Sequence, residues 1–355
     1  MSLFYPIIAF AATALSLWAG RTIALKAGFA DQPGGRKKHD DPVPPIGGLV
    51  ILPVFLLVCH FAGLKEIVPL PLAIGVGAIL AMGAIDDAFT VKPFVKLAIM
   101  ILTAAYVVIF GNAQIGWLGD LFGFGDVEVG FLSKGFTIMA IVLLMNAVNM
   151  ADGVDGLASG LCAQVAFWML AMCAGVGAWE PFWALAILTG ALGGFLALNM
   201  RAPWRKRASV FLGDAGTLSL GLILGWFCIK LTQGTGAFIA PATVIWFIAL
   251  PVMDAFALFI ARSARGLHPF NADRRHLHHR FLDAGVAPGR TTVLILAMAA
   301  FLSLLAYAAQ AVGVPAWVLF YSWLALFGAH TFAIMHPKGY TLWSRVLRTR
   351  GRTNA

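Results

Sequence analysis

The sequence predicts an all-α, polytopic membrane protein of about ten or eleven transmembrane helices, with its N-terminus outside and its chemistry on the cytoplasmic face. Three observations carry that expectation. Of 355 residues, 60% are hydrophobic and 12% charged, against about 25% charged in soluble domains, and the mean hydropathy is +0.86. The apolar residues gather into runs of bilayer-crossing length, about 17–25 residues each. Finally, 22 of the 25 Lys and Arg residues fall in alternate segments between those runs, the bias of cytoplasmic loops.

The runs lie near 3–24, 46–64, 67–85, 94–111, 131–148, 157–177, 181–199, 214–231, 236–258, 291–311 and 315–335. The first has no basic residue before it and no convincing small-residue cleavage site after it, so it reads as a retained helix rather than a signal peptide. Arg21, Lys26, Arg36, Lys37 and Lys38 follow it, which sets the N-terminus outside. Gly and Pro inside several runs are no obstacle, because membrane helices tolerate both. Alternation from that start puts 21–45, 86–96, 149–156, 200–213, 259–290 and 336–355 inside; only Lys65, Lys134 and Lys230 fall outside. Topology therefore explains the +9 net charge without nucleic acid. Cys59, Cys162, Cys173 and Cys228 each lie within an apolar run with no CxxC pairing and read as apolar filler. No linker divides the chain, which reads as one transmembrane catalytic domain over 1–335. The basic tail over 336–355 suits an anionic lipid surface.

The same alternation collects every polar cluster on one face. These are GRKKHDDPVPPIGG (35–48), AIDDAFTVKP (84–93), NMADGVDG (149–156), FLGDAGTLSLG (211–221) and HPFNADRRHLHHR (268–280). Asp86 and Asp87 end the third run. Adjacent carboxylates at a membrane boundary are costly and mark a site, although one Asp alone would read as a solvated helix end. Asn146, Asn149, Asp152 and Asp155 recur at a spacing of three, and Gly153 and Gly156 are expected to break the helix into a tight loop. Asp214 could simply cap the helix that follows it; set among the other carboxylates it becomes a candidate ligand for a hard cation such as Mg²⁺. Phe211 could stack on a base or pack against lipid. His276, His278 and His279 lie among Arg274, Arg275 and Arg280. Without a nearby cysteine or a helical i, i+4 pair they fit phosphate oxygens better than zinc. No GxxxxGK[ST] or GxGxxG motif occurs, which argues against a Walker or Rossmann site.

In their order these motifs resemble the polyprenyl-phosphate N-acetylhexosamine-1-phosphate transferases. The resemblance rests on HDDPVPPIGG, Asp86–Asp87, NAVNMADGVDGL, FLGDAG and the HLHH loop, and it spans nearly the whole chain. The PF-x-x-DRRHLHHR form is similar to the GlcNAc-1-phosphate branch. The muramoyl-pentapeptide branch typically has a three-histidine run, from which this chain departs. The resemblance implies a UDP-sugar donor, a polyprenyl phosphate (undecaprenyl phosphate) acceptor and Mg²⁺, with Mn²⁺ as a substitute. It implies Asp86 and Asp87 as the catalytic pair, with Asp86 acting on the lipid phosphate. It makes Asp214 the metal ligand, assisted by Asp87 or Asp152. Asn149, Asp152, Asp155, Asn199 and Phe211 fall on the nucleotide side, and Arg265, His276, His278 and His279 on the diphosphate and sugar. Lys38, His39 and Lys96 lie near the phosphates.

The expected chemistry is attack of a lipid-phosphate oxygen on the β-phosphorus of the UDP-sugar, with departure of UMP. Asp86 is left open between base and positioning residue. An ion-coupled transporter using Asp86, Asp152 and Asp214 is the alternative from another class, although no inverted repeat is evident. A lipid-phosphate phosphatase, which would release inorganic phosphate, is a third. The sugar, the pathway (O-antigen, teichoic acid or capsule) and the oligomeric state, a homodimer included, stay open.

Overall fold

The computed structural model describes residues 3–30, 42–267 and 275–336, and among them the secondary structure is helical apart from two isolated β-bridges. The helices are α1 (Phe4–Lys26), α2 (Gly47–Phe61), α3 (Leu70–Phe89), α4 (Pro93–Phe110), α5 (Ser133–Ala151), α6 (Leu157–Val176) and α7 (Trp179–Asn199). They continue as α8 (Gly213–Thr232), α9 (Pro241–Phe247), α10 (Ala249–Ser263), α11 (Leu277–Asp283), α12 (Pro288–Ala311) and α13 (Ala316–Met335). Nine helices among the described residues are long and apolar enough to cross a membrane.

Two expected spans differ from single straight crossings. The run at 46–64 yields only the 15-residue α2, because the helix is closed by Gly63 at a φ of 76°. Pro42, Pro44 and Pro45 precede the helix, and the buried stretch from Val43 to Ile46 pairs with a loop instead. The run at 236–258 breaks into α9 and α10, bent by 80°. Pro251 explains the break: it has no N–H to offer the carbonyl of Phe247, four residues earlier, and its ring crowds that carbonyl. Gln164 of α6 donates its side-chain amide to this carbonyl at 3.1 Å and to Ser303 Oγ of α12 at 3.2 Å. The Phe247 carbonyl freed at the bend is thus not left bare in the apolar interior. The third run also extends further than expected, with Asp86 and Asp87 inside the last turn of α3 rather than beyond it.

α8 is the axis of the assembly. Every residue from Ala215 to Ile229 is buried, and α8 packs against α2, α3, α5 and α6. Small residues make that possible. A Cβ at Gly48 would overlap the backbone of Gly216, one at Gly83 the backbone of Ala215, and one at Gly221 the backbone of Met145. Lipid supplies no hydrophobic drive between helices, so such close approach, which maximises dispersion contact, is how membrane helices associate. α1 packs on α7 and α13 on α10. Their outer faces carry exposed Phe4, Ile7, Trp18, Leu324 and Phe332, as lipid-facing surfaces require. These contacts bring the C-terminal ends of α3 and α5 to the N-terminal ends of α4 and α8, all on one face of the bundle.

Candidate active site

The centre of that face is the start of α8. Its first N–H groups have no partner within the helix, and no side chain of its own caps it. Asp87, reaching across from α3, fills the role. Its Oδ1 accepts from the Asp214 backbone N–H at 2.9 Å and its Oδ2 from that of Ala215 at 3.3 Å. The positive end of the α8 dipole favours a carboxylate there. Gly213 makes the approach possible: its φ is 74°, and a Cβ at this position would stand 2.5 Å from Asp87 Oδ2. From the other side the proline-rich stretch braces the same turn. Phe211 N–H donates to Pro44 O, while Gly47 and Gly48 N–H donate to Phe211 O and Leu212 O, each at 2.9 Å.

With its backbone held by Asp87, Asp214 turns its carboxylate toward α4 and α5. Oδ1 accepts from Asn149 Nδ2 at 2.8 Å, and Oδ2 pairs with the Lys96 ammonium. The same ammonium donates to Asp86 Oδ2 at 2.9 Å, and Asp86 Oδ1 accepts from Val91 N–H at 2.5 Å. Asn149 also donates to Thr217 Oγ1 at 2.9 Å. Asp86, Asp87, Lys96, Asn149 and Asp214, from four helices, thus form one connected cluster. Asn146 stays out of it, bonding back to Val142 O of its own helix at 2.8 Å.

The segment between α5 and α6 links this cluster to two others. α5 ends at Ala151 and α6 begins at Leu157, with Gly156 at a φ of 77°, so the predicted break occurs where Gly permits it. Asp152, three residues after Asn149, is exposed at the helix end. Gly153 lies directly beneath the His278 ring, where a Cβ would collide with it. Asp155 accepts from Arg201 Nε at 2.7 Å and from Ala208 N–H at 3.3 Å, and its carbonyl accepts from Thr292 Oγ1 at 2.8 Å. Asn199 is buried; its Oδ1 accepts from Gly156 N–H at 2.6 Å and its Nδ2 donates to Val210 O at 2.8 Å. Asp155 and Asn199 therefore clamp the two loops together, a shaping role that their resemblance-based assignment to the nucleotide side did not include.

The third cluster is the histidine turn. His276 and His278 are buried at the start of α11, and His278 lies between His276 and His279, with ring centroids 5.3 and 4.3 Å away respectively. Burial, with a smaller push from the neighbouring imidazoles, lowers His278 from the ordinary 6.5 to about 3, which keeps the ring neutral. His276 bonds to Asp254 of α10, and His330 of α13 approaches the same carboxylate. Neither Asp254 nor His330 was singled out from the sequence. The available signal was an ionisable residue inside an apolar run. Arg265 is exposed just beyond α10. The calls on Lys38 and His39 lie outside the described residues.

The central donor set suits a hard divalent cation: its carboxylates are oxygen ligands, with no sulfur among them. Lys96, drawn in between Asp86 and Asp214, shows that positive charge is favoured at this position. Asp214, its backbone fixed by Asp87, is the residue of this cluster that would hold Mg²⁺, and Asp152 stands exposed at the neighbouring end of α5. No group of three His, Cys, Asp or Glu among the described residues is arranged as a ready-made metal cluster, so the remaining ligands would be phosphate oxygens and water.

Residues 70–232 match the family described as glycosyl transferase family 4; that segment runs from α3 through α8 and contains the whole central cluster. The undecaprenyl-phosphate alpha-N-acetylglucosaminyl 1-phosphate transferase of Escherichia coli O157:H7 is 31% identical over 348 residues, covering 96% of this chain and 93% of its own. The protein of that name from Haemophilus influenzae is 30% identical, with 97% of each chain covered, and the one from Salmonella typhi 31%, with 91% and 88% covered. Likeness of this extent, carried through the helices that build the site, shows that the chain belongs to glycosyl transferase family 4.

Proposed function

We propose that this protein transfers N-acetylglucosamine 1-phosphate from UDP-N-acetylglucosamine to undecaprenyl phosphate, releasing UMP, at the cytoplasmic face of a bacterial inner membrane. The observation that carries the reading is the cluster of Asp86, Asp87, Lys96, Asn149 and Asp214 at one membrane-facing end of the bundle, in a chain that aligns along nearly its full length with transferases of that name. A lipid substrate reaches such a site from the bilayer and a nucleotide sugar from water.

The reaction joins two anions. An oxygen of the lipid phosphate attacks the β-phosphorus, and the bond from that phosphorus to the oxygen bridging the α-phosphorus breaks, so that UMP carries the electron pair away. A phosphate monoester has a second pKa of about 6, so the nucleophile is already charged at neutral pH and needs no base. Asp86 fits this account as a positioning residue, since both its oxygens are engaged, by Lys96 and by Val91 N–H. Lys96 is aimed by the two carboxylates and brings positive charge to the point where the phosphates meet. Bound Mg²⁺ would supply charge neutralisation on the diphosphate. Asp87 and the 42–48 stretch hold Asp214 still throughout.

The ion-transporter alternative finds no support in the relatives' names. The carboxylates it invokes stand at helix ends on one face instead of along a path through the bundle. The test is purified protein in lipid nanodiscs with undecaprenyl phosphate and a panel of UDP-sugars. UMP together with sugar-labelled lipid is expected from UDP-N-acetylglucosamine; inorganic phosphate, or no nucleotide product with any sugar, would refute the proposal.

A further inference from the structure

Asp254 lies in α10, buried among apolar residues, yet three groups converge on it. His276 Nδ1 is 2.8 Å from Oδ2, the Leu277 backbone N–H donates to Oδ1 at 3.0 Å, and His330 Nε2 of α13 is 3.5 Å from Oδ1. A carboxylate inside an apolar helix is costly unless so held. Two of the three partners belong to the turn that opens α11, so the carboxylate fixes where the histidines meet the bundle. With Leu277 N–H donating to Oδ1, the carboxylate is placed as an acceptor; an ionised carboxylate only accepts, so the hydrogen of the His276–Asp254 contact would then sit on Nδ1, leaving Nε2 for other work. His276 stacks on His278 with planes 13° apart, and His278 covers Gly153, next to Asp152. The orientation imposed at Asp254 is thus passed through two stacked rings to the edge of the central cluster.

We propose that Asp254 is a positioning residue for the transfer reaction, acting through His276: it sets the tautomer and angle of that ring, and through it the seat of His278, on the side of the site that receives the nucleotide sugar. His330 of α13 approaches the same carboxylate from the opposite element, at 3.5 Å. The role rests on the transfer reading for the identity of the ligand, while its geometry stands on the structure alone.

Three measurements decide it. In bilayer-embedded protein labelled with ¹⁵N-histidine, His276 (assigned by its loss in His276→Asn) should show a protonated Nδ1, and the signature should move in Asp254→Asn. An unprotonated Nδ1 in the wild type, or an unchanged signature in the variant, would overturn the proposal. A variant that fails to fold leaves the wild-type spectrum to decide. In turnover assays Asp254→Asn should lower kcat by about 10–100-fold, the usual cost of losing such a supporting contact, with KM little changed. Its unfolding temperature should stay within about 2 °C of wild type. In a His276→Asn background the same change should add less than about twofold, because residues acting as a unit are not additive. The full loss reappearing there, or a fall in unfolding temperature in step with kcat, would show an independent structural role. A wild-type protein that makes no UMP would count against the transfer reading, and the spectrum would still report on Asp254.

Discussion

Asp87 on α3 accepts the backbone N–H of Asp214 on α8 at 2.9 Å, so the carboxylate that ends one helix caps the start of another. This contact joins the two halves of the site. It gives the adjacent acids of α3 different tasks: Asp87 faces the α8 backbone, while Asp86 faces Lys96. It also leaves the Asp214 side chain free to face Lys96 and Asn149, since Asp214 is not spent on capping its own helix.

Removing that cap should be visible as stability. Asp87→Ala strands two N–H groups at the start of α8, and loss of a cap costs about 0.5–2 kcal/mol. Thermal unfolding in detergent should therefore occur at lower temperature, and UMP formation should be lost. Asp87→Asn keeps an acceptor and should recover most of the stability without the activity. Equal unfolding temperatures for wild type and Asp87→Ala would show that the cap does nothing.

Gly213→Ala attacks the same contact from the backbone. A side chain at a φ of 74° is strained by about 1–3 kcal/mol, and the added carbon would displace Asp87. The variant should be both less stable and inactive. Wild-type turnover from Gly213→Ala would mean that the Asp87–Asp214 contact is dispensable.

Lys96 bridges two carboxylates, so its loss leaves like charges facing each other and, in the proposed reaction, removes a cation from the phosphates. Lys96→Met should lower kcat by about 10²–10³-fold, the scale of losing one charge-stabilising donor. Lys96→Arg should restore only part, because a planar fork does not replace a compact ammonium between two acids. Steady-state UMP release measures both, and full activity in Lys96→Met would remove Lys96 from the mechanism.

His278 predicts a pH dependence of stability. Its folded-state value is about 3 against an ordinary 6.5, so between these limits the unfolded chain binds a proton that the folded chain does not. Stability must then fall as pH drops below about 6.5, by at most about 1.4 kcal/mol per pH unit from this group. His278→Asn should flatten that part of the unfolding-temperature profile. An unchanged slope would place the dependence elsewhere.

Chelation tests the divalent ion. Excess EDTA should abolish UMP release, and Mg²⁺ or Mn²⁺ should restore it, whereas Asp214→Ala should stay inactive at any metal concentration. Undiminished turnover under chelation would exclude the metal role assigned to Asp214.

Much of this arrangement was legible because bilayer physics leaves strong marks. Runs of apolar residues located nearly all the helices, and the alternation of Lys and Arg segments gathered Asp86, Asn149, Asp152 and Asp214 onto one side before any contact was known. What stayed hidden depends on geometry that single residues do not announce. The bend at Pro251 needs a partner for the Phe247 carbonyl, and Gln164, 83 positions away in sequence, supplies it. From the sequence Asp214 is the candidate cap of its own helix and Asp87 half of an acidic pair, yet it is Asp87 that caps the helix on which Asp214 stands. Asp254 and His330 look like isolated members of apolar runs, because the meeting of His276 and His330 at Asp254 exists only in the folded chain.

The account stands on phosphoryl transfer at the Asp86–Lys96–Asp214 cluster, and the fate of the β-phosphorus measures that directly. UDP-N-acetylglucosamine labelled with ³²P at the β-position and with ³H in the sugar should pass both labels to the lipid extract in equal amounts, matched by UMP in the aqueous phase, with no transfer by Asp214→Ala. Tritium in the lipid with the phosphorus left in water as UDP, or equal transfer by Asp214→Ala, would contradict it.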